Sequence, residues 1–76
     1  MRLVIIAHAR DRMALRGITE EMVKGCLEKP DVKSRGYKDR RVHYKKYGGQ
    51  YISVVFEIEK TARRVITVIW KDKPLP

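Results

Sequence analysis

The apolar period of this chain changes at Pro30, and that change restricts the fold more than any other feature. Before Pro30, apolar residues recur at helical spacing; after it they alternate. "GITEEMVKGCLEKP" is the clearest local signal. Thr19 is an N-cap, with Glu20 and Glu21 in the first turn to complement the helix dipole. Ile18 can staple onto Val23, and Val23, Cys26 and Leu27 mark the buried stripe until Lys29-Pro30 closes the helix. Beyond it, "RRVHYKKY", "YISVVFEIE" and "RRVITVIWK" read as three strands. The first two are joined through Gly48-Gly49-Gln50 and the next pair near Lys60-Thr61-Ala62, both short enough for antiparallel hairpins.

His8 to Arg16 holds no Gly, Pro or β-branched residue and suits a helix of about two to three turns, ended by Gly17. Leu3 to Ala7 is either a short strand or a lead into that helix, and "DVKSR" is a weaker strand. The expectation is one α+β domain over residues 1–76: two N-terminal helices on one face of a three- to four-stranded antiparallel sheet. On the central strand Ile52, Val54, Phe56 and Ile58 should face the helices. Val42 and Tyr44 should join them, leaving Arg41, His43, Lys45 and Tyr47 on the opposite face. The last strand is apolar on both sides, so its facing stays open.

At 76 residues and 43% hydrophobic composition, the chain is apolar enough to fold yet buries little over roughly 60% of its unfolded surface. Cys26 is the one cysteine, which excludes an internal disulfide and a cysteine metal cluster; it reads as a core residue. The apolar N-terminal run is too short for a membrane span or signal peptide, so a cytoplasmic protein without membrane association is expected. Eighteen Lys and Arg against nine Asp and Glu give a net charge of +9 and a pI near 10.1. Such a surplus attracts polyanions or an acidic protein.

Lys33 to Lys46 contains seven cations, interleaved with Tyr37, His43, Tyr44 and Tyr47, against the single acid Asp39. Cations neutralise phosphates, and aromatic rings offer stacking surfaces to unpaired bases. The candidate nucleic-acid contacts are Arg16, Arg40, Arg41, Lys45, Lys46 and Tyr47. The alternative is a solvated strand edge on which lysines discourage aggregation. His8, Arg12 and Arg16 lie at i, i+4 and i+8, on one stripe of the first helix. Metal-free RNA cleavage needs a base, an acid and cations for the developing phosphorane charge. His8, His43 and Arg12 are the candidate catalytic residues, with no cofactor or metal. No Gly-rich phosphate loop, metal-ligand spacing or nucleophile elbow is present.

"HARDRMALRGITEEMV", "EKPD", "YKKYGGQYISVVFEIE" and "RRVITVIW" together resemble a family of small prokaryotic domains of unknown function. That family looks like an outlying branch of the RelE/ParE-like toxin superfamily. The resemblance runs from His8 to Trp70, and "HARDRM…RGIT" is its most specific part. It implies a two-helix, antiparallel-sheet fold of the ribosome-dependent ribonuclease toxin type. Under it, His8 corresponds to the histidine of the "HAR" start and Arg12 and Arg16 to the helix arginines; Arg41, Lys45, Tyr47 and Thr67 are compatible with the toxins' basic sheet face. The end "KDKPLP" lacks the basic and aromatic tail of many active toxins. The implied partner is RNA or the ribosome; the competing readings are a non-catalytic module docking an acidic, antitoxin-like protein, or a homodimer formed through the sheet.

Overall fold

The computed structural model describes residues 2–74; Met1 and the last two residues of the "KDKPLP" segment lie outside them. The chain forms β1 (Arg2–Ile5), α1 (Ala7–Arg16), α2 (Glu20–Glu28), β2 (Val32–Arg35), β3 (Arg41–Tyr47), β4 (Gln50–Glu59) and β5 (Ala62–Lys71). The class is α+β, with both helices on one face of the sheet. Strand order is β1-β5-β4-β3-β2. The sheet therefore has five strands rather than three or four. It is mixed, because β1 pairs parallel with β5 while every other pair is antiparallel.

Local chemistry explains the helices. Gly17 takes φ 68° and ends α1, its N–H returning to the carbonyls of Met13 and Ala14. Thr19 Oγ1 accepts from the Met22 N–H at 3.1 Å, and the Thr19 N–H donates to Met22 Sδ at 3.4 Å. This reciprocal cap, with Glu20 and Glu21 beside it, fixes the start of α2. Ala9 and Met13 of α1 and Val23, Cys26 and Leu27 of α2 pack on Ile52, Val54, Phe56, Val65 and Val68 to form the core.

Two features of the sheet differ from the sequence expectation. The β3–β4 turn contains two residues, Gly48 and Gly49, so Tyr47 pairs with Gln50, Lys45 with Ile52 and His43 with Val54. His43, Lys45 and Tyr47 thus share the helix-covered face with Ile52 and Val54. Val42 and Tyr44 lie on the other face, beside Val55 and Ser53. In β5, Val55 pairs with Thr67 and Phe56 with Val65, so Ile66 is passed over in a bulge. The bulge turns Val65, Val68 and Trp70 all toward the helices and leaves Thr67 and Ile69 on the uncovered face, which resolves the facing of this strand.

Candidate functional site

The positive charge is uneven. β1, β3 and β5 begin, and β2 and β4 end, at the same edge of the molecule. Arg2, Arg35, Arg41, Arg63 and Arg64 belong to these strand ends, and Lys38, Arg40 and Lys60 to the loops joining them. The acids there are Asp39, Glu57 and Glu59. Glu57 is shared between Arg40 (3.6 Å) and Arg64 (3.5 Å). Among the described residues, none of Lys33, Arg35, Lys38 and Arg41 has a carboxylate within 4.0 Å. Their charge stays available.

At the β1–β5 side of this end a cavity of about 370 Å³ is lined by Arg2, Lys60 and Arg64 together with Glu59. Two adjoining cavities mark the β2–β3 side. One, of about 170 Å³, is lined by Arg35, Lys38, Asp39, Arg40, Arg41 and Ile58. The other, of about 210 Å³, is lined by Lys33, Ser34, Arg35, Arg41 and His43. Arg35 and Arg41 border both, because the strand register sets them opposite each other on β2 and β3. The loop between these strands is fixed by Gly36 N–H to the Arg40 carbonyl (2.8 Å) and Arg40 N–H to the Tyr37 carbonyl (3.3 Å). At its tip Tyr37 is 79% exposed, with the Lys38 ammonium 5.6 Å from its ring centroid.

His43 forms part of the second cavity's wall, although only 7% of its surface is exposed. Its ring meets Phe56 edge to face, with centroids 4.7 Å apart and an 81° interplanar angle. Nδ1 is buried without a hydrogen-bond partner. Burial holds the imidazole below its ordinary pKa of 6.5, the backbone carbonyls of Cys26 and Leu27 oppose that shift, and the cations Lys33 and Arg63 add to it.

The other candidate residues lie elsewhere. His8 and Arg12 touch, Arg12 Nε donating to His8 Nε2 at 3.3 Å, but they sit on α1, which packs against β5, and border neither cavity. Arg16 Nη1 donates to the Val68 carbonyl at 3.1 Å, and the Trp70 indole N–H donates to the Arg16 carbonyl at 3.0 Å. These bonds seat the end of α1 on β5 where β1 has stopped. Lys45 Nζ donates to the Lys29 carbonyl at 2.9 Å, and the Tyr47 hydroxyl to the Met22 carbonyl at 3.2 Å, so both clamp α2 onto the sheet. The Lys46 N–H donates to Asp31 Oδ2 at 2.7 Å. The structure thus brings Arg40, Arg41 and His43 together, and leaves His8, Arg12, Arg16, Lys45, Lys46 and Tyr47 outside the cleft.

Lys33, Arg35 and Lys38 complete the cleft, and Tyr37 stands exposed on the loop beside it. They belong to the basic and aromatic run legible in the sequence, but the choice of individual contacts favoured the strand 41–47 over the loop that precedes it. Chemically, the cleft offers an array of donors for anionic oxygen, with an aromatic ring at its rim.

A family model described as Domain of unknown function (DUF4258) matches residues 5–70, which takes in both helices and nearly all of the sheet. No curated protein and no solved structure matches the chain. No helix of the described residues is long and apolar enough to cross a membrane.

Proposed function

The chain belongs to that family, and from the geometry of its basic sheet end we propose that it binds single-stranded RNA in the cleft between the β2–β3 loop and the start of β3. One observation carries this reading: Lys33, Arg35, Lys38 and Arg41 converge on two joined cavities without carboxylate partners, beside an exposed Tyr37. Free cations neutralise phosphates, and an exposed ring stacks on a base without demanding a sequence. The resemblance to RelE/ParE-like toxins supports RNA as the polyanion, on or off the ribosome, and implies a cytoplasmic protein. The reading is binding rather than cleavage. Metal-free cleavage needs a base and an acid around one phosphate, and His43 borders the cleft while His8 lies on α1 outside it.

A second reading, a non-catalytic module for an acidic antitoxin-like protein or for a second copy of the chain, is favoured by the uncovered sheet face. There Tyr51, Val55, Thr67 and Ile69 remain half-buried with no helix above them. The test is a salt titration of binding to a single-stranded oligoribonucleotide. If about four phosphates are neutralised, affinity falls roughly fiftyfold between 50 and 200 mM salt, and Tyr37→Ala weakens binding by about 1–3 kcal/mol. Salt-independent affinity, or tight association with an acidic protein and none with RNA, selects the second reading.

A further inference from the structure

The two cavities differ in one respect that bears on which phosphate each can take. The one bordered by Asp39 lies along the loop and suits the diester backbone of a passing strand. The other has no acid in its lining: Lys33, Arg35 and Arg41 surround it, Ser34 offers a hydroxyl, and the His43 imidazole stands in its wall. Three unpaired cations around one concavity match a dianion better than the single charge of a diester.

We propose that the Lys33–Arg35–Arg41–His43 cavity is a phosphate-monoester subsite that takes the phosphorylated end of an RNA strand. This rests on the RNA-binding reading and adds to it the chemistry of the end that is bound. The groups facing the imidazole fix the sign of its response. They are Lys33 and Arg35 from β2, Arg41 from its own strand, Arg63 from β5 and the backbone carbonyls of Cys26 and Leu27 from α2; β4 contributes only apolar side chains there. All the charged ones are cationic, so in the empty cavity their field opposes protonation of the ring. A bound dianion opposes their field and draws a proton onto the ring.

The test compares two single-stranded oligoribonucleotides of one sequence, one with a 5′-phosphate and one with a 5′-hydroxyl, together with inorganic phosphate alone. The phosphorylated strand binds roughly tenfold more tightly, the worth of one charge-assisted hydrogen bond. Lys33→Gln, an exposed substitution that borders only the second cavity, weakens both strands and removes most of that difference, whereas Lys38→Gln, which borders only the first, weakens both strands alike and keeps it. Inorganic phosphate moves the imidazole resonances of His43 saturably and raises its pKa, and leaves those of His8 in place. Equal affinity for two tightly bound strands overturns the subsite and leaves RNA binding intact. Failure of both strands to bind, with a saturable phosphate response at His43, overturns the RNA reading and retains an anion subsite. An unresponsive His43 overturns the subsite in either case.

Discussion

His43 and Phe56 meet edge to face across neighbouring strands, centroids 4.7 Å apart, so the same imidazole belongs to the core and to the wall of the cationic cleft. Desolvation and the nearby cations lower its pKa from 6.5. The unfolded chain therefore takes up a proton on this ring before the folded chain does. Stability from this group is intact above pH 6.5 and declines as pH falls toward the lower folded value, since the unfolded state then binds more protons. Urea midpoints measured from pH 8 to pH 5 should show this decline. His43→Phe, which keeps a ring against Phe56, flattens it, and His8→Ala does not. A decline that survives in His43→Phe assigns the titration to another group.

Gly25 sits inside α2, where alanine is ordinarily better by about 0.8–1.0 kcal/mol. Here a Cβ at Gly25 would lie 2.9 Å from the Tyr47 hydroxyl, which donates to the Met22 carbonyl. Gly25→Ala must displace that hydroxyl and break its bond, a loss of about 0.5–1.5 kcal/mol before any strain. The substitution is expected to destabilise the natural chain and to stabilise Tyr47→Phe, where the oxygen is gone. Chemical denaturation of the four members of this cycle reads the sign change directly. Equal effects in both backgrounds would remove Tyr47 as the reason for the glycine.

These two pairs show where sequence reading succeeds and fails. Thr19, Gly17 and Pro30 act within a turn of chain, so both helices and their ends were legible from residue types alone. The facing of β3 was not, and a single residue separates the two answers. A three-residue connection through Gln50 pairs Tyr47 with Tyr51 and sends Val42 and Tyr44 to the core. The observed two-residue turn pairs Tyr47 with Gln50 and sends His43, Lys45 and Tyr47 there instead. The facing of the strand carries the candidate site with it: Lys45 and Tyr47, expected on the open face, reach the Lys29 and Met22 carbonyls of α2 and its cap. The parallel β1–β5 pair joins opposite ends of the chain, and no local pattern announces it.

Cys26 tests how closed the core is. It is fully buried in α2, its thiol donating to the His43 carbonyl at 3.3 Å, and burial pushes its pKa from 9.0 up to about 12. At pH 8 the native thiolate fraction is then lower than in the unfolded chain by on the order of a thousandfold. Ellman's reagent should label Cys26 slowly in buffer, at a rate set by transient opening, and rapidly in urea above the unfolding midpoint. Immediate labelling of the native protein would contradict a sealed interface between α2 and the sheet. The same shift has a stability consequence: above pH 9 the unfolded thiol ionises first, so its contribution to stability is lost as pH rises toward 12.

Arg41 and Lys45 lie on one strand and one face, yet only Arg41 borders the cavities. Lys45 spends its ammonium on the Lys29 carbonyl at the end of α2. Replacing each by alanine should therefore separate two kinds of loss. Arg41→Ala makes the log–log salt slope of single-stranded RNA binding less steep by about 0.7, the share of one phosphate, and leaves the urea midpoint near that of the natural chain. Lys45→Ala lowers stability by about 0.5–1.5 kcal/mol through the lost bond, and leaves the salt slope unchanged. Binding titrations at four or five salt concentrations beside a urea melt of each variant supply both readouts. The opposite assignment, a changed slope for Lys45→Ala and an unchanged one for Arg41→Ala, would move the interface to the far end of β3 and away from the β2–β3 loop.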